Sequence, residues 1–218
     1  MQLISLPVSP FAARVRIGIY AKGLDIGVAP PPVGWPNASQ FRDINPIGRI
    51  PVLVLDDGGL IQESSIILEF LEERFPDARP LLCGTPQERA KSRLLSRVAD
   101  LYLMPPMVRL AQPGHDERQR GRLVEDLLDG LVSLDALLDG GAYAVGRELS
   151  LADCALAPAL FATEVTGARL GIDLLDSLPH VRRYAAELQQ DEHVARVLAE
   201  MDAGLRQLTR PAHGPASP

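Results

Sequence analysis

The stretch NPIGRIPVLVLDDGGLIQESS, residues 45–65, predicts a loop, a strand, a tight turn, a second short strand and the start of a helix. Pro51 precedes an apolar run, residues 52–55, that has the length and β-branched composition of a buried strand. The sequence DGG at residues 57–59 is a hairpin signal, and two apolar residues after it form the return strand. From Ser64 onwards the apolar residues share one helical face, so a helix is predicted there.

The polar groups of this stretch suit the head of an amino acid, which carries a carboxylate and an ammonium on one carbon. A cis peptide bond before Pro51 would turn the backbone N–H and C=O of Val52 outward, away from the strand ladder. Ser64 is a candidate N-cap, and its hydroxyl with the free N–H groups of the first turn suits a carboxylate. Glu63 beside it suits an ammonium. The alternative is that Pro51 only shapes a turn and Ser64 only caps a helix.

The residues before this stretch add a strand, a helix and another strand. Residues 2–6 are a first strand, and Ser9 is the predicted N-cap of a helix that has a proline at its first position. That helix ends near Gly23, a natural residue after a helix end. Residues 25–29 are a second strand, and residues 33–44 are predicted to be a surface loop. The order β-α-β-(α)-β-β-α implies a small mixed sheet in a thioredoxin-like arrangement, with a right-handed crossover.

Ser9 is the candidate for chemistry. A hydroxyl at a helix N-terminus can donate a hydrogen bond to a thiolate, and the helix dipole favours the anion. A free thiol has a pKa of about 8.5, and helix N-termini are among the places where this pKa falls. The serine need not ionise, because its task would be to hold a bound thiol as thiolate at neutral pH. The alternative is that Ser9 is an ordinary helix cap.

Two segments resemble the cytosolic glutathione transferases: SPFAARVR at residues 9–16, and IPVL followed by QESSIILEFLEERFP at residues 50–53 and 62–76. The first resembles the serine-type members, notably the tau and zeta classes. There the active serine lies five residues before the first arginine of an R-V-R triplet, as Ser9 does before Arg14. The resemblance implies glutathione as co-substrate and Ser9 as the catalytic residue.

The resemblance also implies a set of glutathione-binding residues, namely Arg49, Ile50, Pro51, Val52, Glu63 and Ser64. In the family, the residues matching Ile50-Pro51-Val52 bracket a cis-proline that pairs with the backbone of the cysteinyl unit. Those matching Glu63-Ser64 hold the γ-glutamyl end. Arg49 occupies a position from which related proteins reach the glycyl carboxylate. The alternative is that Arg49 is an ordinary loop arginine whose side chain is solvated.

Two features depart from the family pattern. Residues 33–39, which include Trp35, do not match the usual loop. Pro10 replaces the second serine or cysteine that zeta-class isomerases carry after the active serine. This replacement argues against an isomerase.

Two function classes remain as alternatives to a transferase. One is a glutathione-dependent cis–trans isomerase of the maleylacetoacetate type, which would use the same thiolate and regenerate it. The other is a non-catalytic binding protein on the same fold, as in the stringent-starvation type of transcription partner, which would need neither Ser9 nor Glu63-Ser64. A thiol-transferase is disfavoured, because no cysteine lies at or near position 9.

The second half of the chain is predicted to be wholly helical. Apolar stripes cover residues 90–102 and 123–138, and such stripes are typical of a helical core. The prolines at residues 105–106 are predicted to break the first of these helices. Ser150 and Asp153 form a capping motif before an apolar helix that should be central, so we assign Asp153 to folding.

The predicted fold class is an α/β thioredoxin-like domain followed by an all-α helical domain, which is the glutathione transferase fold. The predicted boundaries are residues 1–79 for the glutathione-binding domain, 80–85 for a linker, 86–210 for the helical domain and 211–218 for a disordered tail. The resemblance implies that the helical domain supplies an apolar site for the electrophile, with a wall formed by Phe11, Tyr102, Pro106 and Met107. Plain packing between the domains is the alternative for these four residues.

Composition bears on compartment and partners. Hydrophobic residues make up 46% and charged residues 23% of the chain, and the net charge of −6 leaves no basic footprint for nucleic acid. We expect no signal peptide, since the start lacks the pattern, and no membrane partner, since no apolar run reaches about 18 residues. Cys83 and Cys154 lack a redox or zinc spacing, and the histidines lack a pairing typical of ligands. We therefore expect a cytoplasmic protein without a metal, and the resemblance implies a homodimer.

Overall fold

The computed structural model describes residues 1–36, 41–42 and 45–209. Part of the predicted loop 33–44, Arg210 and the predicted tail 211–218 lie outside these residues. The first part of the chain forms a sheet and two flanking helices: β1 (Gln2–Ile4), α1 (Pro10–Ala21), β2 (Gly27–Ala29), β3 (Val52–Val54), β4 (Leu60–Gln62) and α2 (Ser64–Arg74).

The sheet has the strand order β2-β1-β3-β4. The β1–β2 pair is parallel, and the other two pairs are antiparallel. Leu3 at the centre of β1 lies opposite Val28 on one side and Leu53 on the other, and it is fully buried. This is the predicted mixed, thioredoxin-like sheet, with β1 and β2 shorter than predicted.

The second part of the chain is helical. Its elements are α3 (Pro86–Val98), a π-helical segment (Ala99–Leu103), α4 (Met104–Leu110), α5 (Glu117–Leu137), α6 (Leu151–Leu170), α7 (Pro179–Leu188) and α8 (Glu192–Thr209). The first half of α6 is buried on every side, as its apolar sequence predicts. It packs against α1, so the central helix of one domain rests on the first helix of the other.

The predicted helix caps are present. The hydroxyl oxygen of Ser9 accepts a hydrogen bond from the N–H of Ala12 at 3.3 Å. Ser150 and Asp153 form a capping box at the start of α6. Gly23 follows α1 with a φ of 63°, a left-handed conformation in which a side chain would be strained. Local sequence signals therefore define where these helices begin and end.

The predicted break at residues 105–106 is wrong. The chain stays helical from Pro86 to Leu110, and the wider π-helical segment joins α3 to α4. Both prolines fall in the first turn of α4. The wider turn of the π-helical segment directly before them relieves the clash that a proline ring makes with the carbonyl four residues earlier in an α-helix.

One core spans both domains. Ala13 and Ile17 of α1 belong to the same buried cluster as Leu95, Leu131 and Leu156 of the helical domain. The backbone N–H of Leu151 also donates to the carbonyl of Leu81 at 2.9 Å, across the domain junction. The two domains are therefore packed together by apolar and polar contacts.

Residues 1–36, 41–42 and 45–209 contain neither a membrane-spanning helix nor a cluster of metal ligands. None of their helices is both long and apolar enough to cross a membrane. Nor do they bring together three histidine, cysteine or acidic side chains in a way that could hold a metal ion.

Candidate functional site

A cleft opens where α1, the loop before β3 and the start of α2 meet. Its lining consists of Phe11, Asn45, Arg49, Ile50, Pro51, Glu63 and Ser64. Five of the six residues predicted to bind glutathione therefore lie together, although they come from two separate segments of the chain. The sixth, Val52, lies behind them in β3.

The Ile50–Pro51 peptide bond is cis. Val52 is in register with Ile4 of β1 and Gln62 of β4 and is fully buried, so the prediction that its backbone turns away from the ladder is wrong. The reason is that β3 begins at Val52, with a strand already on each side. Ile50 precedes the strand, and its backbone N–H and C=O make no hydrogen bond to another backbone group among the described residues. The backbone groups available to a ligand therefore belong to Ile50.

Glu63, not Ser64, occupies the N-cap position of α2, so the prediction for Ser64 is wrong in this respect. Ser64 is the first helical residue, and the carbonyl of Glu63 accepts the first helical hydrogen bond, from Ile67 at 2.9 Å. Glu63 has a φ of 66° and a ψ of 121°, which a non-glycine residue rarely adopts. Its exposed carboxylate caps nothing and lies at the cleft. Strained residues of this kind cluster at ligand-binding positions.

Asn45 also lines the cleft, although it was not among the residues predicted from the sequence. It is only 1% exposed. Its side-chain nitrogen donates to the carbonyl of Arg49 at 2.6 Å, and its side-chain oxygen accepts from the N–H of Ile47 at 3.0 Å. Asn45 therefore fixes the loop that presents Arg49 and Ile50 to the cleft. The sequence NPIG carried a signal for this, since asparagine readily bonds to the backbone two residues ahead.

Ser9 stands at the start of α1, in the tight turn before the helix. Its own N–H donates to the carbonyl of Leu6 at 3.1 Å. A serine hydroxyl has one donor hydrogen and two acceptor lone pairs. Capping of Ala12 uses a lone pair, so the hydroxyl hydrogen remains available to a ligand. Ser9 is not part of the cleft lining itself, but Phe11 in the first turn of the same helix is.

The four predicted wall residues have different surroundings. Phe11 is half-buried and lines the cleft, with the guanidinium carbon of Arg14 5.6 Å from its ring centre. Pro106 and Met107 are buried on α4, and the sulfur of Met107 accepts from the hydroxyl of Thr163 at 3.3 Å. Tyr102 is 54% exposed in the π-helical segment. Of the four, Phe11 is the one in the cleft lining.

Comparison with known proteins shows the family to which the chain belongs. A family model described as the N-terminal domain of glutathione S-transferase matches residues 3–80, and one described as its C-terminal domain matches residues 98–187. Glutathione S-transferase 1 of Dianthus caryophyllus is 35% identical over 188 residues, which are 81% of this chain and 81% of that protein. The chain belongs to the glutathione S-transferase family.

Relatives within the glutathione S-transferase family carry more than one activity in their names. A maleylacetoacetate isomerase of Pseudomonas aeruginosa is 33% identical over 195 residues, which are 85% of this chain and 89% of that protein. The solved structure of a tau class glutathione S-transferase from mango, Mangifera indica, matches with a TM-score of 0.81 over 95% of this chain and 96% of that one. At 23% identity this match bears on the fold alone. The predicted glutathione transferase fold and the predicted family are confirmed.

Proposed function

We propose that the chain is a glutathione transferase that holds the thiol of bound glutathione as a thiolate for attack on an electrophilic, largely apolar substrate. The observation that carries the proposal is the position of Ser9. It lies at the N-terminus of α1, in the turn beside the cleft that Phe11 lines. In the proposed reaction the thiol releases its proton to solvent water on binding, sulfur forms a bond to the electrophilic carbon, and the leaving group departs with its electron pair.

In the proposed complex, each end of glutathione meets a group of matching charge. The backbone of Ile50, beside Pro51 and Val52, would pair with the cysteinyl unit. The γ-glutamyl ammonium would face the carboxylate of Glu63, and its carboxylate would face Ser64 and the N-terminus of α2. Arg49 would reach the glycyl carboxylate. No metal is needed for this chemistry.

The apolar substrate would lie against a wall that starts at Phe11 and continues along α4. Phe11 supports this placement because it lines the cleft from the helix that Ser9 begins. In this proposal Pro106 and Met107, which are buried on α4, would form the part of the wall behind Phe11, and the exposed Tyr102 would extend it on the outer side.

The test is glutathione binding by calorimetry, with the ultraviolet signal of the thiolate followed as pH is varied. The wild-type protein should bind glutathione and lower the thiol pKa, and Ser9→Ala should bind with a pKa nearer to that of the free thiol. Each unit of pKa lowering corresponds to about 1.4 kcal/mol of preference for the anion. Ser9→Thr retains the hydroxyl and should behave like wild type. A lowered pKa that survives in Ser9→Ala would remove Ser9 from the reaction, and no binding at all would favour a non-catalytic binding protein on the same fold.

A cis–trans isomerase is the second candidate, and it is favoured by the 33% identity to a protein named maleylacetoacetate isomerase. Here the thiolate would add to a carbon–carbon double bond, allow rotation and then leave, so that glutathione is regenerated. Pro10 at the second position of the serine motif argues against it. The concentration of free glutathione during turnover distinguishes the transferase from the isomerase, because a transferase consumes one glutathione per product and an isomerase consumes none.

We further propose that the protein is a cytoplasmic homodimer in which α2 packs against α3 of the partner. Ile66 on α2 and Leu94 on α3 are large apolar side chains that are exposed in the single chain. An ion pair between Glu69 and Arg93, with bonds of 2.8 and 3.1 Å, links the same two helices within one chain. Ile66→Asp should lower the mass measured by light scattering to that of a monomer, and an unchanged dimer would contradict this arrangement.

A further inference from the structure

The tight turn that carries Ser9 accepts a hydrogen bond from the buried side chain of Arg16. No strand among the described residues pairs with this turn, residues 6–9, because β1 ends at Ile4. Instead, the carbonyl of Pro7 accepts a hydrogen bond at 2.7 Å from Nη2 of Arg16, on the second turn of α1. The other terminal nitrogen of Arg16 donates to Glu200 of α8 at 2.8 Å. One planar guanidinium therefore joins the turn to the last helix of the chain.

Glu200 is itself held in place. Its second carboxylate oxygen accepts from the hydroxyl of Tyr20 at 3.0 Å, and the guanidinium of Arg196 lies 3.4 Å from the same oxygen. Arg196 also covers the ring of Tyr20, 3.8 Å from its centre. Burial and the neighbouring charge of Glu200 raise the pKa of Tyr20, so its hydroxyl stays a donor at neutral pH. Arg16 therefore pairs with a carboxylate that has little freedom to move.

Helix α8 also packs directly against the turn, at Pro7 and Val8. A Cβ atom on Gly204 would lie 2.9 Å from Cγ1 of Val8 and 3.0 Å from Cβ of Pro7. Separations this short require one of the two segments to shift. The glycine allows α8 to pack closely against the two residues that precede Ser9. This steric contact is independent of the hydrogen bonds made by Arg16.

We propose that Arg16, Glu200 and Gly204 are positioning residues that hold the Pro7–Val8 turn so that the hydroxyl of Ser9 meets the thiol of glutathione. None of them needs to touch the substrate. A hydrogen bond weakens steeply as its length and angle depart from their optimum, so a small movement of the turn is enough to weaken thiolate stabilisation. The inference rests on the proposed role of Ser9.

Gly204→Ala is the sharpest test, with Gly121→Ala as its matched control. Both glycines lie in helices, but a Cβ on Gly121 would have no neighbour within 4 Å. Gly204→Ala should raise the pKa of bound glutathione thiol by about 0.5–1 unit, the equivalent of one weakened hydrogen bond. Because less of the bound thiol is then ionised at neutral pH, kcat/KM should fall by about three- to tenfold. The fall should come from a lower kcat, while the KM for glutathione should change little. Gly121→Ala should leave the pKa and kcat/KM at wild-type values.

A double-mutant cycle shows whether the effect passes through Ser9. In a Ser9→Ala background, Gly204→Ala should cause no further change in the thiol pKa, because the hydroxyl that it displaces is absent. Arg16→Lys, which keeps the charge but lacks the fork needed to reach both partners, should reproduce the pKa shift of Gly204→Ala. If Gly204→Ala shifted the thiol pKa equally in the wild-type and Ser9→Ala backgrounds, the inference would be overturned.

The outcomes separate this inference from the proposed function. If the wild-type protein does not bind glutathione or does not lower its thiol pKa, the proposed function fails and the inference fails with it. If the wild-type protein lowers the pKa, and folded Gly204→Ala and Arg16→Lys lower it equally, only the inference fails. Circular dichroism and the unfolding midpoint establish that each variant is folded before its pKa is compared.

Discussion

At the scale of single residues, the backbone conformation of Glu63 favours glycine, whereas its position at the cleft favours a charged side chain. Its φ of 66° lies in a region that favours glycine, yet its carboxylate is exposed at the cleft. A non-glycine residue held in such a conformation costs roughly 1–3 kcal/mol. We therefore attribute the glutamate at this position to the proposed contact of its carboxylate with the γ-glutamyl ammonium.

Glu63→Gly should relieve the strain and weaken glutathione binding at the same time. We expect the free energy of unfolding to rise by about 1 kcal/mol, since part of the relieved strain is offset by the greater freedom of glycine in the unfolded chain. Glutathione affinity should fall at least about tenfold, because the carboxylate that faces the ammonium is lost. Glu63→Gln keeps the strain and should lose affinity without gaining stability. Unchanged affinity in both variants would contradict the assignment of Glu63.

At the scale of an element, Asp153 organises the start of α6. Its carboxylate is fully buried and accepts four hydrogen bonds between 2.7 and 2.8 Å: two from Ser150, one from the N–H of Ala144 and one from the hydroxyl of Tyr184. The capping box is thus the local part of a wider network that ties α6 to α7 and to the loop before it. The assignment of Asp153 to folding agrees with these contacts.

Asp153→Ala should be among the more destabilising substitutions in the chain. It leaves buried donors without an acceptor, and each such donor costs about 1–3 kcal/mol, so we expect a loss of about 3 kcal/mol or more in urea unfolding. Tyr184→Phe removes one of the four donors and should cost only about 1 kcal/mol. A loss below 1 kcal/mol for Asp153→Ala would show that water replaces the carboxylate.

At the scale of the whole molecule, the two domains share ion pairs as well as a core. Arg14 of α1 has a side chain that is 2% exposed, and it donates at 2.7 Å to Asp100, whose side chain is 14% exposed in the π-helical segment. Because the apolar cluster also crosses the junction, the domains should unfold in one cooperative transition.

Asp100→Ala should lower stability by about 3–5 kcal/mol, because it leaves the buried charge of Arg14 without its acceptor. The matched control is Asp202→Ala, which removes an ion pair of the same length, 2.7 Å, to the exposed Arg206. That variant should stay within about 0.5 kcal/mol of wild type. Guanidinium unfolding, followed by circular dichroism and by the fluorescence of Trp35, measures both variants. Two separate transitions in the wild type would contradict the shared core.

The sequence by itself determined the features that depend on neighbours along the chain. The capping by Ser9 and Ser150, the turn after α1 at Gly23 and the alternation of strands and helices could be predicted from local patterns. The site could be predicted in large part too, because Arg49, Ile50 and Pro51 are consecutive and the resemblance linked them to Glu63-Ser64. Such signals act over a few residues, so they are visible in the printed sequence.

Only the tertiary structure decided the features that depend on distant parts of the chain. Asn45 is a site residue because folding buries it under its own loop, and Val52 stays in the ladder because β1 and β4 flank it. The helix continues past residues 105–106 through a π-helical segment, in which Ala99 and Leu103 are buried in the core that both domains share. Gly204 contacts the turn before Ser9, and Glu200 pairs with Arg16, although more than about 180 residues separate the partners in each case. Contacts over such separations are set by packing, for which one sequence carries no local pattern.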